Sequence, residues 1–339
     1  MLREVKNKHV KPRIVTFVGT TTASTATLSN GYGDYTVSRS GTGAGTISHR
    51  QGFARGGLTF LSQSVVAGGY ATINSTTSNK LSSAFSLLNA SGTANEGTFD
   101  GFTFGWDSSD LSLCKQQRVA STSSGERINW GKITGSSGAV AINSGDFSCS
   151  RTASGTYSVT FRRPYGQTPV VVVTGISSAG ASTALLSSKS ASGVTVTMAP
   201  ETGTPTDSDF YIVVIGQDSR SDAGRERSPL LNSQRKPRIL AAEITNTGGT
   251  WSLTQGGATG GIDFTSLTDN GAGDFSVTIA EPFAREPAIL VCTTTQRAQV
   301  HSYSANVIRV LTKNSAGSNA DTNGVTHLFV IGSDDGASY

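Results

Sequence analysis

The feature that most restricts what this chain can fold into is that it repeats itself three times. Three stretches align without gaps: TISHRQGFARGGLTFLS from Thr46, SVTFRRPYGQTPVVVVT from Ser158 and SVTIAEPFAREPAILVC from Ser276. An aromatic recurs at Phe53, Tyr165 and Phe283, preceded by proline in the last two and by Gly52 in the first. An apolar run follows each time, at 58–61, 170–173 and 288–291. A second landmark comes later as FTFGWDS, VVIGQDS and FVIGSDD, its glycine 52, 51 and 49 residues beyond the aromatic. Each copy also opens alike, with KPRIVTF at Lys11, RINWGKI at Arg127 and KPRILAAEI at Lys236. Landmarks in one order at near-constant spacing mean one supersecondary unit used repeatedly. The predicted organisation is a basic arm at 1–11, a β-sandwich at 12–110, a linker at 111–126, a second sandwich at 127–219, a basic linker at 220–235 and a third sandwich at 236–339.

The units read as all-β. Tyr157-Ser158-Val159-Thr160-Phe161, Val194-Thr195-Val196-Thr197-Met198 and Phe275-Ser276-Val277-Thr278-Ile279 alternate apolar with hydroxyl residues, the period of a half-buried antiparallel strand. Val170–Val173 and Tyr211–Ile215 are apolar on both faces and are expected to be covered on both sides. Turns are predicted at Asp269-Asn270-Gly271, Ala153-Ser154-Gly155, Ser192-Gly193 and Ser136-Ser137-Gly138. The Pro-Phe or Pro-Tyr step falls between strands, where proline breaks no ladder. The nearest approach to a helix, 80–88, is Ser-rich and a poor one. The fold class is three tandem antiparallel sandwiches joined by basic linkers, with a jelly-roll strand order left open.

Composition bears mainly on what is excluded. Forty glycines and only 15% charged residues leave too few helix formers for a coiled coil or helical bundle. Cys114, Cys149 and Cys292 form no disulfide framework or metal-ligand spacing, so a reducing cytoplasm is the expected site of synthesis. No apolar run is long enough for a membrane helix, and no signal-peptide core follows the basic N-terminus. His9, His49, His301 and His327 show no metal or triad spacing. Asp107, Asp218 and Asp334 recur beside the repeated glycine, which points to a structural turn three times over. Gly41-Thr42-Gly43-Ala44-Gly45 lacks the Lys-Ser/Thr element of a phosphate cradle and reads as a loop. Trp106, Trp130 and Trp251 could stack on sugars if exposed, but a tryptophan in a β-unit is more often core. The sequence therefore offers no catalytic residue, cofactor or metal, and the expectation is a protein that is not an enzyme.

Charge is uneven. Residues 1–13 carry five Lys/Arg against one Glu, 115–132 four against one, and 220–238 six against two, on a chain whose net charge is only +4. The segments before each unit are therefore basic and the β-units mildly acidic. Arg3, Lys6, Lys8, Lys11, Arg13, Arg225, Arg227, Arg235, Lys236 and Arg238 are the candidate partner-binding residues, suited to an acidic protein surface. They lack the interleaved aromatics of single-strand binders and no reading helix is present, which argues against nucleic acid.

The stretch Ser266-Leu267-Thr268-Asp269-Asn270-Gly271-Ala272-Gly273-Asp274-Phe275, leading into a strand and then Glu281-Pro282-Phe283 and Arg285-Glu286-Pro287, resembles a recurrent pattern of tailed-phage virion exterior proteins, as does the ending Phe329-Val330-Ile331-Gly332-Ser333-Asp334. The likeness is closest in about a third of the chain and fades toward the first unit, where Gly52 and Gly56-Gly57 replace prolines. It implies a capsid decoration or cement protein on the outer surface of the virion, assembled in the host cytoplasm. Its expected partners are the major capsid protein or other virion proteins, with a homotrimer as the preferred state and no membrane. The alternative is a tail fibre or spike binding a host glycan or receptor, and a polysaccharide depolymerase ranks third. The first two are told apart by location on the particle.

Overall fold

The computed structural model describes residues 12–32, 35–49, 55–63, 70–76, 82–89, 91–106, 126–143, 147–176, 183–200, 204–217, 238–256, 264–293, 297–314, 318–321 and 324–332. The described residues contain strands and no helix. The first run of eight comprises β1 (Pro12–Thr21), β2 (Ala26–Tyr32), β3 (Tyr35–Gly41), β4 (Ala44–His49), β5 (Arg55–Gln63), β6 (Tyr70–Thr76), β7 (Ser82–Leu88) and β8 (Gly97–Trp106). The second comprises β9 (Glu126–Ile133), β10 (Val140–Asn143), β11 (Phe147–Ala153), β12 (Thr156–Phe161), β13 (Val170–Ile176), β14 (Thr183–Ser190), β15 (Gly193–Ala199) and β16 (Asp209–Gln217). The third comprises β17 (Arg238–Thr247), β18 (Thr250–Gly256), β19 (Phe264–Gly271), β20 (Asp274–Ile279), β21 (Ala288–Thr293), β22 (Arg297–Ser304), β23 (Val307–Lys313) and β24 (Gly324–Gly332). Within the rejected helix at 80–88, Ser82–Leu88 form strand β7.

One strand order occurs three times. In each run the inner sheet is ordered second–first–eighth–fifth: β2-β1-β8-β5, β10-β9-β16-β13 and β18-β17-β24-β21. The outer sheet is ordered third–fourth–seventh–sixth: β3-β4-β7-β6, β11-β12-β15-β14 and β19-β20-β23-β22. Consecutive strands pair as hairpins within one sheet, whereas a jelly roll sends consecutive strands to opposite sheets, so that option is closed. In the second unit Tyr157 and Phe161 of the outer sheet and Val171, Phe210, Ile212 and Val214 of the inner sheet share one core, which makes the unit sandwich-like. The hairpin in the third unit turns at Ala272-Gly273, later than the predicted Asp269-Asn270-Gly271. Gly273 takes the left-handed φ of +63° and abuts the Ala320 backbone, which only glycine permits. Gly43 and Gly155 do the same at φ +58° and +64°, so the glycine-rich stretch at 41–45 is a hairpin tip. At all three tips an acid, Glu96, Asp207 or Asp321, accepts the glycine N–H.

The repeated landmarks have a packing explanation. Arg127 and Gly216 are cross-strand partners on β9 and β16, and the buried Tyr165 ring packs against both. The Arg127 guanidinium is 4.0 Å from that ring's centroid, and a Cβ on Gly216 would come within 2.8 Å of its edge. The third unit repeats this with Arg238 opposite Gly332, Arg238 4.0 Å from the Phe283 centroid, and a Gly332 Cβ 2.7 Å from the ring. Opening Arg, Pro-aromatic step and late Gly are thus one cation–π stack seated on a bare stretch of backbone.

The three units do not stand apart as beads. Along β13 and β16, Val171, Val173, Ile212 and Val214 enter the unit's own core, while the alternate residues Val170, Val172, Tyr211, Val213 and Ile215 enter a second core shared with the other two units. Residues apolar on both faces are therefore covered on both sides, as their sequence requires, and the second cover is the neighbouring units. Phe329 of β24 sits in this shared core, fully buried, with its ring centroid 5.6, 5.1 and 5.5 Å from those of Phe60, Phe102 and Phe104.

Candidate functional site

The packing of the units is cyclic. The sixth strand of each unit lies against the fifth strand of another: β14 on β5, β22 on β13 and β6 on β21. This head-to-tail contact, made three times, closes a ring with approximate threefold symmetry inside one chain. The contact of β22 with β13 includes a parallel bridge, Ile176 to Val300, that joins two sheets into an eight-stranded one.

The ring solves an edge problem. Strands β5, β13 and β21 are edges of their inner sheets, and an uncapped edge leaves buried N–H groups without acceptors. Side chains from the preceding unit supply them. The N–H of Val173 donates to Ser62 Oγ at 3.0 Å and that of Val171 to Asp100 Oδ2 at 3.1 Å. The N–H of Val291 donates to Thr174 Oγ1 at 3.3 Å, and that of Thr59 to His327 Nδ1 at 3.2 Å. Asp100, Tyr211 and His327 occupy equivalent places, each five residues before the repeated glycine, and each reaches the next unit around the ring. Asp100 also forms an ion pair with Lys189, and Tyr211 donates to Glu286, which Lys132 approaches at 2.9 Å. Burial pushes the Asp100 carboxyl up, with Lys189 opposing; it pushes the Tyr211 hydroxyl up, reinforced by Glu286. Burial pushes the His327 imidazole down despite Glu243 at 3.7 Å from Nε2, which favours the neutral ring; its Nδ1 lies 3.2 Å from the Thr59 N–H and 3.1 Å from the Thr59 carbonyl.

Where these interfaces end on the axis, a recess of about 640 Å³, open mouth included, collects equivalent residues from all three units. Ser62 and Gln63, Thr174 and Gly175, and Cys292 and Thr293 come from the ends of β5, β13 and β21. Tyr70 and Ala71, Thr183 and Ala184, and Arg297 and Ala298 come from the starts of β6, β14 and β22, with Lys313 added from β23. Among the described residues of this wall the charged ones are Arg297 and Lys313, 5% and 8% exposed, and burial pushes the pKa of the guanidinium and of the ammonium down. Arg297 lies 4.5 Å from the Tyr70 ring centroid and is hydrogen-bonded to that side chain.

Sequence reasoning did not single out these residues. Of the predicted partner-binding set, Arg3, Lys6, Lys8, Lys11, Arg225, Arg227, Arg235 and Lys236 lie outside the described residues. Arg13 is placed as the β1 partner of Gly105. Arg238 is engaged within its own unit, donating to the Glu281 carbonyl at 2.7 Å beneath Phe283. Trp130 and Trp251 are core residues, 7% and 9% exposed, rather than sugar platforms. Asp107, Asp218, Asp334, His9 and Cys114 lie outside the described residues. Among the described residues no group of three or more His, Cys, Asp or Glu could hold a metal ion, and no helix is long and apolar enough to cross a membrane. No family model, curated protein or solved structure matches the chain.

Proposed function

We propose that the chain is a structural protein of a phage virion exterior, of the capsid decoration type, acting as a monomer that supplies its own threefold body. The observation that carries this reading is the closed ring. Three basic segments, 1–13, 115–132 and 220–238, lead into the equivalent strands β1, β9 and β17. Ring closure therefore brings the starts of these three strands to three related points. Such a body suits a surface offering three like acidic contacts, where weak contacts multiply through effective concentration. The inner-sheet edges β5, β13 and β21 are already capped between units, which supports one chain where the resemblance alone favoured three. The commitment of the buried Asp100, Tyr211 and His327 side chains to inter-unit contacts also fits adhesion better than turnover.

The test is location and dependence on the arms. Cryo-electron microscopy of particles carrying the protein should place single copies on the shell, and deleting residues 1–13 should abolish their binding to undecorated heads. Density on the tail, or full occupancy by the truncated protein, overturns this reading. A receptor-binding tail protein is the second reading, favoured by one observation. The recess lies at the Gln63 end of β5, and β1 begins at Pro12 opposite Trp106, at the other end of the β1-β8-β5 ladder. A polar recess facing away from the point of attachment is where a host ligand would be met.

A further inference from the structure

The recess departs from the threefold pattern at one cross-strand pair. Facing residues in the sixth and seventh strands are Tyr70 and Leu88 in the first unit, Thr183 and Ala199 in the second, and Arg297 and Lys313 in the third. Two of the three pairs are neutral, and the third is a pair of cations. Residues directly opposite on antiparallel strands point to the same face, and like charges there repel. Both cations are more than nine-tenths buried, so water screens that repulsion poorly. Among the described residues the wall contains no Asp or Glu. The adjoining stretches 64–69, 177–182, 294–296 and 315–317 contain none in their sequence either. The Asp100 carboxylate, on β8 opposite Ser62 of the wall, is already bound to Lys189 and the Val171 N–H. In the same recess Gln63 is 2% exposed, and neither its amide oxygen nor its amide nitrogen has a partner among the described residues. Buried amides are ordinarily hydrogen-bonded, so this one is a donor and acceptor held ready for something else.

We propose that the recess is an oxyanion-binding site. Arg297 and Lys313 would neutralise the bound group, and Gln63 would hydrogen-bond to it or to a hydroxyl beside it. A bidentate guanidinium and a point-charge ammonium suit a phosphate or a carboxylate equally. Free phosphate and the carboxylate of a sugar acid share this chemistry. This proposal does not depend on the virion reading.

The experiment is thermal unfolding and calorimetric titration of the full chain at pH 7 with sodium phosphate and with sodium glucuronate, against sodium chloride at matched ionic strength. The decisive variant is Lys313→Leu, which restores the first unit's residue and removes the like-charge pair. Without ligand it should melt at or above the wild-type temperature, because repulsion is relieved. Either anion should raise the wild-type melting temperature in proportion to its occupancy. Lys313→Leu should bind that anion at least ten-fold more weakly, and Gln63→Leu should also weaken it. A response to phosphate alone identifies the free inorganic ion as the source, and one to glucuronate alone identifies the sugar acid; either supports the site. The proposal is overturned if neither anion exceeds the chloride control. It is equally overturned if Lys313→Leu responds as the wild type does, or if neutral glucose matches glucuronate.

Discussion

Phe329→Ala is the substitution that probes the ring most sharply, because Phe329 belongs to the third unit and its three ring contacts to the first. The side chain is fully buried, and truncating a buried Phe costs about 3–5 kcal/mol through lost transfer energy and the cavity left behind. The shared core is bounded by rigid strands, so little collapse is expected and ~4 kcal/mol is the working figure. Urea unfolding followed by tryptophan fluorescence reads the second and third units through buried Trp130 and Trp251. With an m-value of about 3 kcal/mol/M, ~4 kcal/mol moves the midpoint down by roughly 1.3 M. Pairing it with Phe102→Ala should give a coupling energy of about 0.5–3 kcal/mol, the range for residues in direct contact. The reasoning fails if Phe329→Ala costs under 1 kcal/mol, or if the two substitutions add without coupling across 227 residues of sequence, the span from 102 to 329.

Other consequences follow from the same interior. Lys189→Met leaves the Asp100 carboxylate buried beside the Val171 N–H alone and should destabilise by about 3–5 kcal/mol at pH 7. Because burial already raises the Asp100 pKa, protonation favours the folded state, and this loss should shrink as pH falls toward 4. Gly332→Ala sets a Cβ 2.7 Å from the Phe283 ring and should cost ~1–3 kcal/mol by overpacking, read by thermal melting. Asp207 is held down to about 2 by Arg151 and the Gly155 N–H. Its contribution is present above its ordinary value of 3.8 and lost as pH falls through about 2, so Asp207→Asn should flatten that part of the acid-stability curve.

How much of this was legible in the sequence differs by level. The repeat, the all-β class and the two-faced burial of Val170–Val173 follow from spacing and alternation, which depend only on local chemistry. What covers the second face does not, because an apolar face looks the same whether a helix, another chain or another unit of this chain packs on it. The edge caps were hidden for a related reason: Asp100, Tyr211 and His327 do one job with three chemistries, so no motif marks them. The recess pair was hidden by loop length. Tyr70, Thr183 and Arg297 lie 17, 18 and 14 residues after the repeated aromatic, so an ungapped alignment never stacks them. The late turn at Ala272-Gly273 shows the limit of dipeptide signals, since Asn270-Gly271 is the stronger turn sequence, yet the acid at Asp321 captures Gly273 instead.

Small-angle X-ray scattering of the purified chain tests the closed single-chain ring most directly, since one curve yields both mass and size. The ring predicts the mass of one 35.0 kDa chain and a radius of gyration of about 20 Å, the value for a compact body of 339 residues, raised slightly by the arms. Three sandwiches strung in a row would give about 30 Å, from three bodies of ~13 Å each set side by side. That larger radius, or a mass three times that of the chain, would contradict it.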